Sequence, residues 1–588
     1  MANSELELCP TCKQSMNTTP SRVSGDAITS MRRYLSSDEL VPPKQASEVM
    51  QLLEDTEKDI ADYSAEISRL QAKILSLNHK CNFLRHYVEP WARSILAPIR
   101  KVPNEVLNLI FVFCGLGGNT VARGARGDDD DTSFDMQRQP AWAVSNTCAK
   151  WRSVALSCKP LWSSIFLKGT TIISPTSRLR AEHAVKRCLR QSHPHPLTLR
   201  IEVTETLTVG FCVDVLLQNA DRWQNVTIIM SSLVLPSDVW STLELPLLET
   251  LELEPDVTMI RGLQAFARAP KLRKLTLCGE LQDPLEPFPW NQLTHFNLHD
   301  FHGPAVFAAL NLCRSLETLS IHAFDDRLWP PPSGLPLDDT GATQPVQLLN
   351  LQNLTIRVAG DPSQANYDSL KLIFTSLTLP SLNKLALISS SSYSSLFPFT
   401  GNWPQHPFKT FIHRSQCKIT ALELDEMPLS DSQLLHLFAV LPTVQNLMVQ
   451  DPQLMRKGSG QLTALVKSLD LFNPFETRGT EILLPNLERL VLQFRSRTDS
   501  QLDDIALAEM IKSRWVPDTK LAILLKVRCL RAVSVNFLFA GRVMDSSAEK
   551  MLVCLIDDGL EFSWKSEEKE IDEEEDEEED EEEDDEDE

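Results

Sequence analysis

A spacing of Leu-x-x-Leu-x-Leu returns ten times between residues 248 and 535, and it restricts the fold more than any other feature of this chain. The copies are Leu248/Leu251/Leu253, Leu272/Leu275/Leu277, Leu293/Phe296/Leu298, Leu316/Leu319/Ile321, Leu351/Leu354/Ile356, Leu382/Leu385/Leu387, Ile419/Leu422/Leu424, Val444/Leu447/Val449, Leu487/Leu490/Leu492 and Leu530/Val533/Val535. Trp223/Val226/Ile228 forms an earlier one. The closing alternation is that of a strand with one buried face. Central positions from 226 to 319 advance by 25, 24, 21 and 23 residues. A unit that short cannot bury its apolar face alone and must stack on its neighbours. Later steps of 35, 31, 37, 25, 43 and 43 mean insertions, and those segments are rich in proline and serine (Pro330 to Pro336, Ser389 to Ser395).

The period is that of leucine-rich repeats. Helical stretches are expected between strands at 178–191, 211–220, 260–268, 306–313, 431–441 and 503–512, and prolines (Pro246, Pro270, Pro380, Pro442, Pro485) precede several strands. This alternation predicts an α/β horseshoe of parallel strands; the rival is one α/β globule with an open sheet. No regular asparagine follows each strand, so the expected solenoid is irregular. Leucines of Leu-x-Leu point inward, which leaves the intervening and following residues on the concave face. Glu252, Glu254, Asn297, His299, Ser320, His322 and Arg357 are the candidate substrate-binding residues there, on a ladder that also holds Thr276, Cys278, Thr355, Glu423 and Asp425. The blander reading of that ladder is a solvated sheet face. The inserted loops are a rival recognition site.

Upstream, a seam alternates steps of four and three from Val49 to Val88. Position a is Leu53, Ile60, Ile67, Ile74, Cys81 and Val88; position d is Val49, Thr56, Tyr63, Leu70, Leu77 and Leu84. β-Branched residues at a and later leucines at d favour a parallel two-stranded coil, hence a homodimer through residues 49–88. A helix packed on the repeats is the alternative, and Glu89-Pro90 is expected to end or kink the rod. At the far N-terminus Cys9-Pro10-Thr11-Cys12 has the bite of half a zinc site. Two chains could complete it, or the thiols stay free.

Between rod and repeats lies Val102-Pro103-Asn104-Glu105-Val106-Leu107, then Ile110-Phe111. Pro103 and Glu105 suit a helix start. Leu107, Ile110, Phe111 and Cys114 form one apolar stripe, and Val106, Leu109 and Phe113 form a second. A second helix is expected over Ala141 to Arg152, followed by Val154-Ala155-Leu156 and Pro160-Leu161-Trp162. So little chain cannot bury that much apolar surface by itself, which points to a cover supplied by a partner. These residues resemble the F-box, whose helices carry Leu/Val-Pro-x-Glu-Leu/Val-Leu-x-x-Ile-Phe, Val-Cys-x-x-Trp-Arg and Leu-Trp. The match rests on Cys148-Ala149-Lys150-Trp151-Arg152 and Leu161-Trp162 besides the first helix. From end to end the chain resembles mushroom-type fungal F-box proteins, with a cysteine pair, a heptad helix and Ala-Pro-Ile-Arg before the box. The resemblance implies docking to the Skp-family adaptor of a cullin-RING ubiquitin ligase, and through it to cullin. It assigns Pro103, Leu107, Ile110, Phe111, Cys148, Trp151, Leu161 and Trp162 to the adaptor or to the fold that binds it. A polar, Gly-rich segment, 115–139, departs from the pattern and reads as a mobile loop.

The net charge of −23 is concentrated at the end: residues 567–588 hold 20 acids, one lysine and one isoleucine, which leaves −4 on the rest. That tail reads as a disordered polyanion. No basic stripe argues for nucleic acid. Thirteen cysteines scattered through apolar segments, with no signal-peptide start or spanning segment, lead us to expect reduced thiols in cytoplasm or nucleus and no membrane. No phosphate loop, nucleophile elbow or HExxH motif occurs, so no catalytic residue, metal or cofactor is expected. The predicted layout is therefore multidomain, α and α/β. It comprises a disordered N-terminus (1–45), a coiled coil (46–90), a three-helix F-box (97–166), an irregular leucine-rich-repeat solenoid (167–565) and the tail (566–588). Two functions are consistent with it: a substrate receptor of a ubiquitin ligase with an unknown protein target, or a coiled-coil leucine-rich scaffold outside ubiquitin transfer.

Overall fold

A computed structural model describes residues 21–35, 41–115, 119–122, 140–169, 175–203, 210–230, 243–255, 259–260, 263–278, 280–281, 287–299, 305–323, 345–359, 366–390, 403–427, 429–450, 461–472, 482–494, 502–537 and 542–566. Cys9, Cys12 and the acidic tail lie outside them. The fold mixes helix with parallel sheet and divides into two compact units, Met1–Val106 and Leu107–Glu588. No helix among the described residues is long and apolar enough to cross a membrane.

In the first unit α1 (Gly25–Leu35) precedes α2 (Pro43–Phe83), a 41-residue helix that starts with proline in its first turn. At ~1.5 Å per residue α2 is about 60 Å long. Its buried Asp59 accepts the Ser21 hydroxyl and the Arg22 N–H, each at 2.8 Å, and the Arg22 guanidinium bridges Asp59 and Asp62 at 2.8 Å. The seam stays open: its large apolar side chains from Leu53 to Val88 are between 40% and 62% exposed. Pro90 does not end the helix. The chain passes through a single π turn (Leu84–Val88) in which the Glu89 N–H reaches Leu84 O, and Pro90 sits in the first turn of α3 (Glu89–Leu96). There its missing N–H costs least.

Among the described residues of the second unit one sheet has fifteen strands, all parallel. They are β1 (Asn119–Ala122), β2 (Ser164–Gly169), β3 (Leu197–Val203), β4 (Trp223–Met230), β5 (Thr250–Pro255), β7 (Lys274–Cys278), β9 (His295–His299), β10 (Thr318–Ala323), β12 (Asn353–Ala359), β14 (Lys384–Ser390), β15 (Ala421–Asp425), β16 (Asn446–Gln450), β17 (Arg489–Phe494), β18 (Ala532–Phe537) and β19 (Glu561–Ser566). Two short side pairs complete the set: β6 (Met259–Ile260) with β8 (Glu280–Leu281), and β11 (Val346–Gln347) with β13 (Leu377–Thr378). Spatial order follows chain order, without the reversal of an open doubly wound sheet. Each repeat's central residue pairs with the next: Leu251 with Leu275, Phe296, Leu319 and Leu354, and onward to Val533. Every leucine of the copies at 248, 272 and 487 is at most 1% exposed.

A backbone ladder leads the strands into the sheet. Arg273 and Lys274 N–H both donate to Glu249 O, at 2.9 and 3.0 Å; Thr294 and His295 donate to Arg273 O, Glu317 and Thr318 to Thr294 O, and so on to Arg531 and Ala532 on Glu488 O. Buried arginines tie the segments behind the sheet. Arg514, 2% exposed, donates to the carbonyls of Leu469, Leu484 and Leu483 at 2.5, 3.0 and 2.6 Å, and Arg222 donates to those of Leu189 and His195.

Three expectations need correction. Part of 115–139 is not loop, since Asn119–Ala122 forms edge strand β1, parallel to β2. The helix expected over 141–152 is broken at Cys148, whose extended backbone (φ −158°) lets its Sγ cap the Trp151 N–H at 3.5 Å. In the stretch 260–268 the described residues form the end of strand β6 at Ile260 and a 3-10 turn, Leu263–Phe266, in place of the expected helix.

Candidate functional site

Four short helices lead into the sheet: α4 (Asn104–Gly115), α5 (Pro140–Thr147), α6 (Ala149–Ser157) and α7 (Lys159–Ser163), which runs directly into β2. The first apolar stripe of α4 is divided: Leu107 and Phe111 turn inward, while Ile110 and Cys114 are exposed together with the second stripe. Leu107 and Phe111 are 0% and 1% exposed, and Phe111 meets Trp151 edge-on at 5.2 Å. Gly115 lies so close to α7 that a Cβ there would stand 3.3 Å from Leu161 Cδ1. Leu109, Ile110 and Phe113 instead face outward, at 58%, 39% and 71% exposure.

Behind them Trp142 and Trp162 stand edge to face at 5.1 Å, and the Trp162 indole N–H donates to Ala155 O at 2.8 Å. Arg187 of α8 (Pro175–Ser192) lies 6.0 and 5.7 Å from their ring centroids. The chain itself therefore covers both tryptophans, with Arg187 of α8 adding to the cover from outside the short helices. The apolar surface left over is the outward stripe of α4. Of the residues assigned by resemblance, Leu107, Phe111, Leu161 and Trp162 are interior and build the fold; Cys148 caps α6; Trp151 is half-buried; Pro103 and Ile110 are exposed. Leu109 and Phe113 were on the second stripe of the sequence, which gave no sign of which stripe would face out. Arg187 and its ring stack had no sequence signal, because the contact spans more than twenty residues.

The second candidate surface is the sheet face opposite the leucines. Glu252, Glu254, Asn297, His299, Ser320 and His322 are all half-buried on it, and Arg357 is exposed. Register brings Glu252, Thr276, Asn297, Ser320 and Thr355 into one file. Thr227 Oγ1 donates to Glu252 at 2.8 Å, and Asn297 Nδ2 to Thr276 Oγ1 at 3.3 Å. In the next file Cys278 pairs with His299 and His322 with Arg357, and the two imidazoles lie 3.8 Å apart. Burial, then the neighbouring His299 and Arg357, lower the His322 pKa to about 4, so its ring is neutral near pH 7. Burial and Glu252 push the Glu254 carboxyl up. Lys384 pairs with Glu423 of the same ladder at 3.2 Å, a contact the sequence reading missed. Among the described residues no three His, Cys, Asp or Glu side chains converge to hold a metal ion.

No family model matches the chain, and no curated protein matches it.

Proposed function

We propose that this chain is a non-catalytic substrate-recognition subunit of an F-box-type cullin-RING ubiquitin ligase. One observation carries the reading: the outward stripe of Leu109, Ile110 and Phe113 on α4, in the segment whose residues resemble the F-box. Three large apolar side chains held outward on one helix mark a docking surface. Covering them contributes about 1–2 kcal/mol each. In this reading the Skp-family adaptor covers the stripe, while Leu107, Phe111, Leu161 and Trp162 hold α4 in place beneath it. The open sheet face, with Glu252, Glu254, Asn297, His299, Ser320, His322 and Arg357, takes the target protein. The chain makes no bond itself; it raises the effective concentration of target lysines near a ubiquitin-loaded enzyme. The full-length Ile110→Lys/Phe113→Lys variant keeps its circular dichroism and loses co-purification with adaptor and cullin; unchanged co-purification defeats the reading.

The exposed seam of α2 favours a second reading, a coiled-coil scaffold outside ubiquitin transfer that recruits basic partners through its tail. Deleting the chain from Glu567 discriminates. The receptor reading keeps adaptor binding, whereas the scaffold reading loses its main partner.

A further inference from the structure

We propose that α2 pairs with a second copy of this chain in antiparallel orientation, with Ile67 of each copy against Leu70 of the other. The large apolar residues of the seam are 40–62% exposed, and their strict 3.5-residue period suits a supercoiled partner of the same period. β-Branched residues at a and leucines at d set the number of strands, but the residues flanking the seam set orientation.

In a parallel pair each g residue meets the e residue five positions further along the other copy. Asp59 then meets Ser64, Glu66 meets Gln71, Lys73 meets Asn78 and Lys80 meets Arg85. That arrangement has no attractive pair and repeats a Lys–Arg repulsion on both sides. In the antiparallel pair g meets g. Glu66 meets Lys73 and Asp59 meets Lys80, each twice by symmetry, and no like charges face one another. Asp59 already holds Arg22 at 2.8 Å, so Glu66 with Lys73 is the cleaner discriminator. Arg69 of the same helix donates to both Glu66 oxygens, at 2.7 and 2.6 Å, and each oxygen keeps a further lone pair for the partner's lysine.

The interior agrees. Leu53 meets Leu84, Ile60 meets Leu77 and Tyr63 meets Ile74, while Thr56, the one polar seam residue, shares a layer with Cys81. All of these layers lie ahead of or at the first residue of the π turn, where the 3.5 phase is lost.

The test uses the full-length chain treated with diamide, which takes two electrons and two protons from a thiol pair as the disulfide forms. Antiparallel pairing predicts a dimer by light scattering at micromolar concentration and no Cys81–Cys81 bond in the wild type. It also predicts that the Thr56→Cys variant joins its introduced thiol to Cys81 in a disulfide, identified by peptide mass mapping. Positions 56 and 81 are about 37 Å apart on one helix, so the bond must join two copies. Glu66→Lys weakens the dimer several-fold, and Glu66→Lys with Lys73→Glu restores it. A monomer, a Cys81–Cys81 bond in the wild type, or no disulfide between the introduced thiol and Cys81 in the variant overturns the proposal.

Discussion

Arg514 is 2% exposed, and its guanidinium donates to three carbonyls, of which Leu484 O also accepts the Leu487 N–H. Arg514→Leu keeps bulk but takes the arginine donors from Leu469 O and Leu483 O, and the expected loss is about 3 kcal/mol, read as a lower urea midpoint with an unchanged slope. His322 yields a prediction of opposite character. Its pKa is about 4 when folded against an ordinary 6.5, so between those values the unfolded chain binds a proton that the folded chain does not. Folded stability therefore falls as pH drops from 6.5 towards 4. Because the ring is only half-buried, solvent screening holds its share to about 1 kcal/mol. His322→Gln should shrink the difference in urea midpoint between pH 7 and pH 5; an unchanged difference would show that other groups cause it. Neither residue's behaviour was legible in the sequence. Arg514 sits among ordinary helix residues, and the His299–His322 contact follows only from strand register.

At the scale of single elements, α4 is the informative case. Its two stripes are nearly indistinguishable in composition, yet only Leu107 and Phe111 of the first are interior, while Ile110 faces out with Leu109 and Phe113 of the second. Leu107→Ser is therefore expected to cost about 3 kcal/mol. Leu109→Ser with Phe113→Ser should stay within about 0.5 kcal/mol of wild type, as thermal unfolding would record. The heptad helix was readable because a repeated seven-residue pattern survives any tertiary context, and so was its disturbance near Pro90. The break at Cys148 was not, since a thiol is a weak and unusual N-cap. The edge strand at Asn119 was hidden because four short residues in a polar, glycine-rich stretch carry almost no periodic signal.

For the molecule as a whole, the in-order parallel sheet was legible because each repeat solves the same local problem. Its three apolar residues must be covered by the repeats on either side. Insertions that stretch the later steps to 43 residues leave the register intact: Leu447 still pairs with Leu490, and Leu490 with Val533. Helices Asn366–Ser376 and Gln405–Ser415 lie inside those irregular steps, and Ser546–Asp557 follows the last copy, so all three escaped the sequence reading. A running backbone ladder at the strand starts holds successive strands in line. In the proposed receptor, labour is divided between two surfaces of the second unit, the outward stripe of α4 for the ligase and the open sheet face for the target. Hydrogen exchange of the full-length chain with and without purified Skp-family adaptor tests that division most directly. Protection confined to residues 104–115 and the adjoining helices is the predicted result, whereas no protection there, or protection of the sheet face instead, would contradict it.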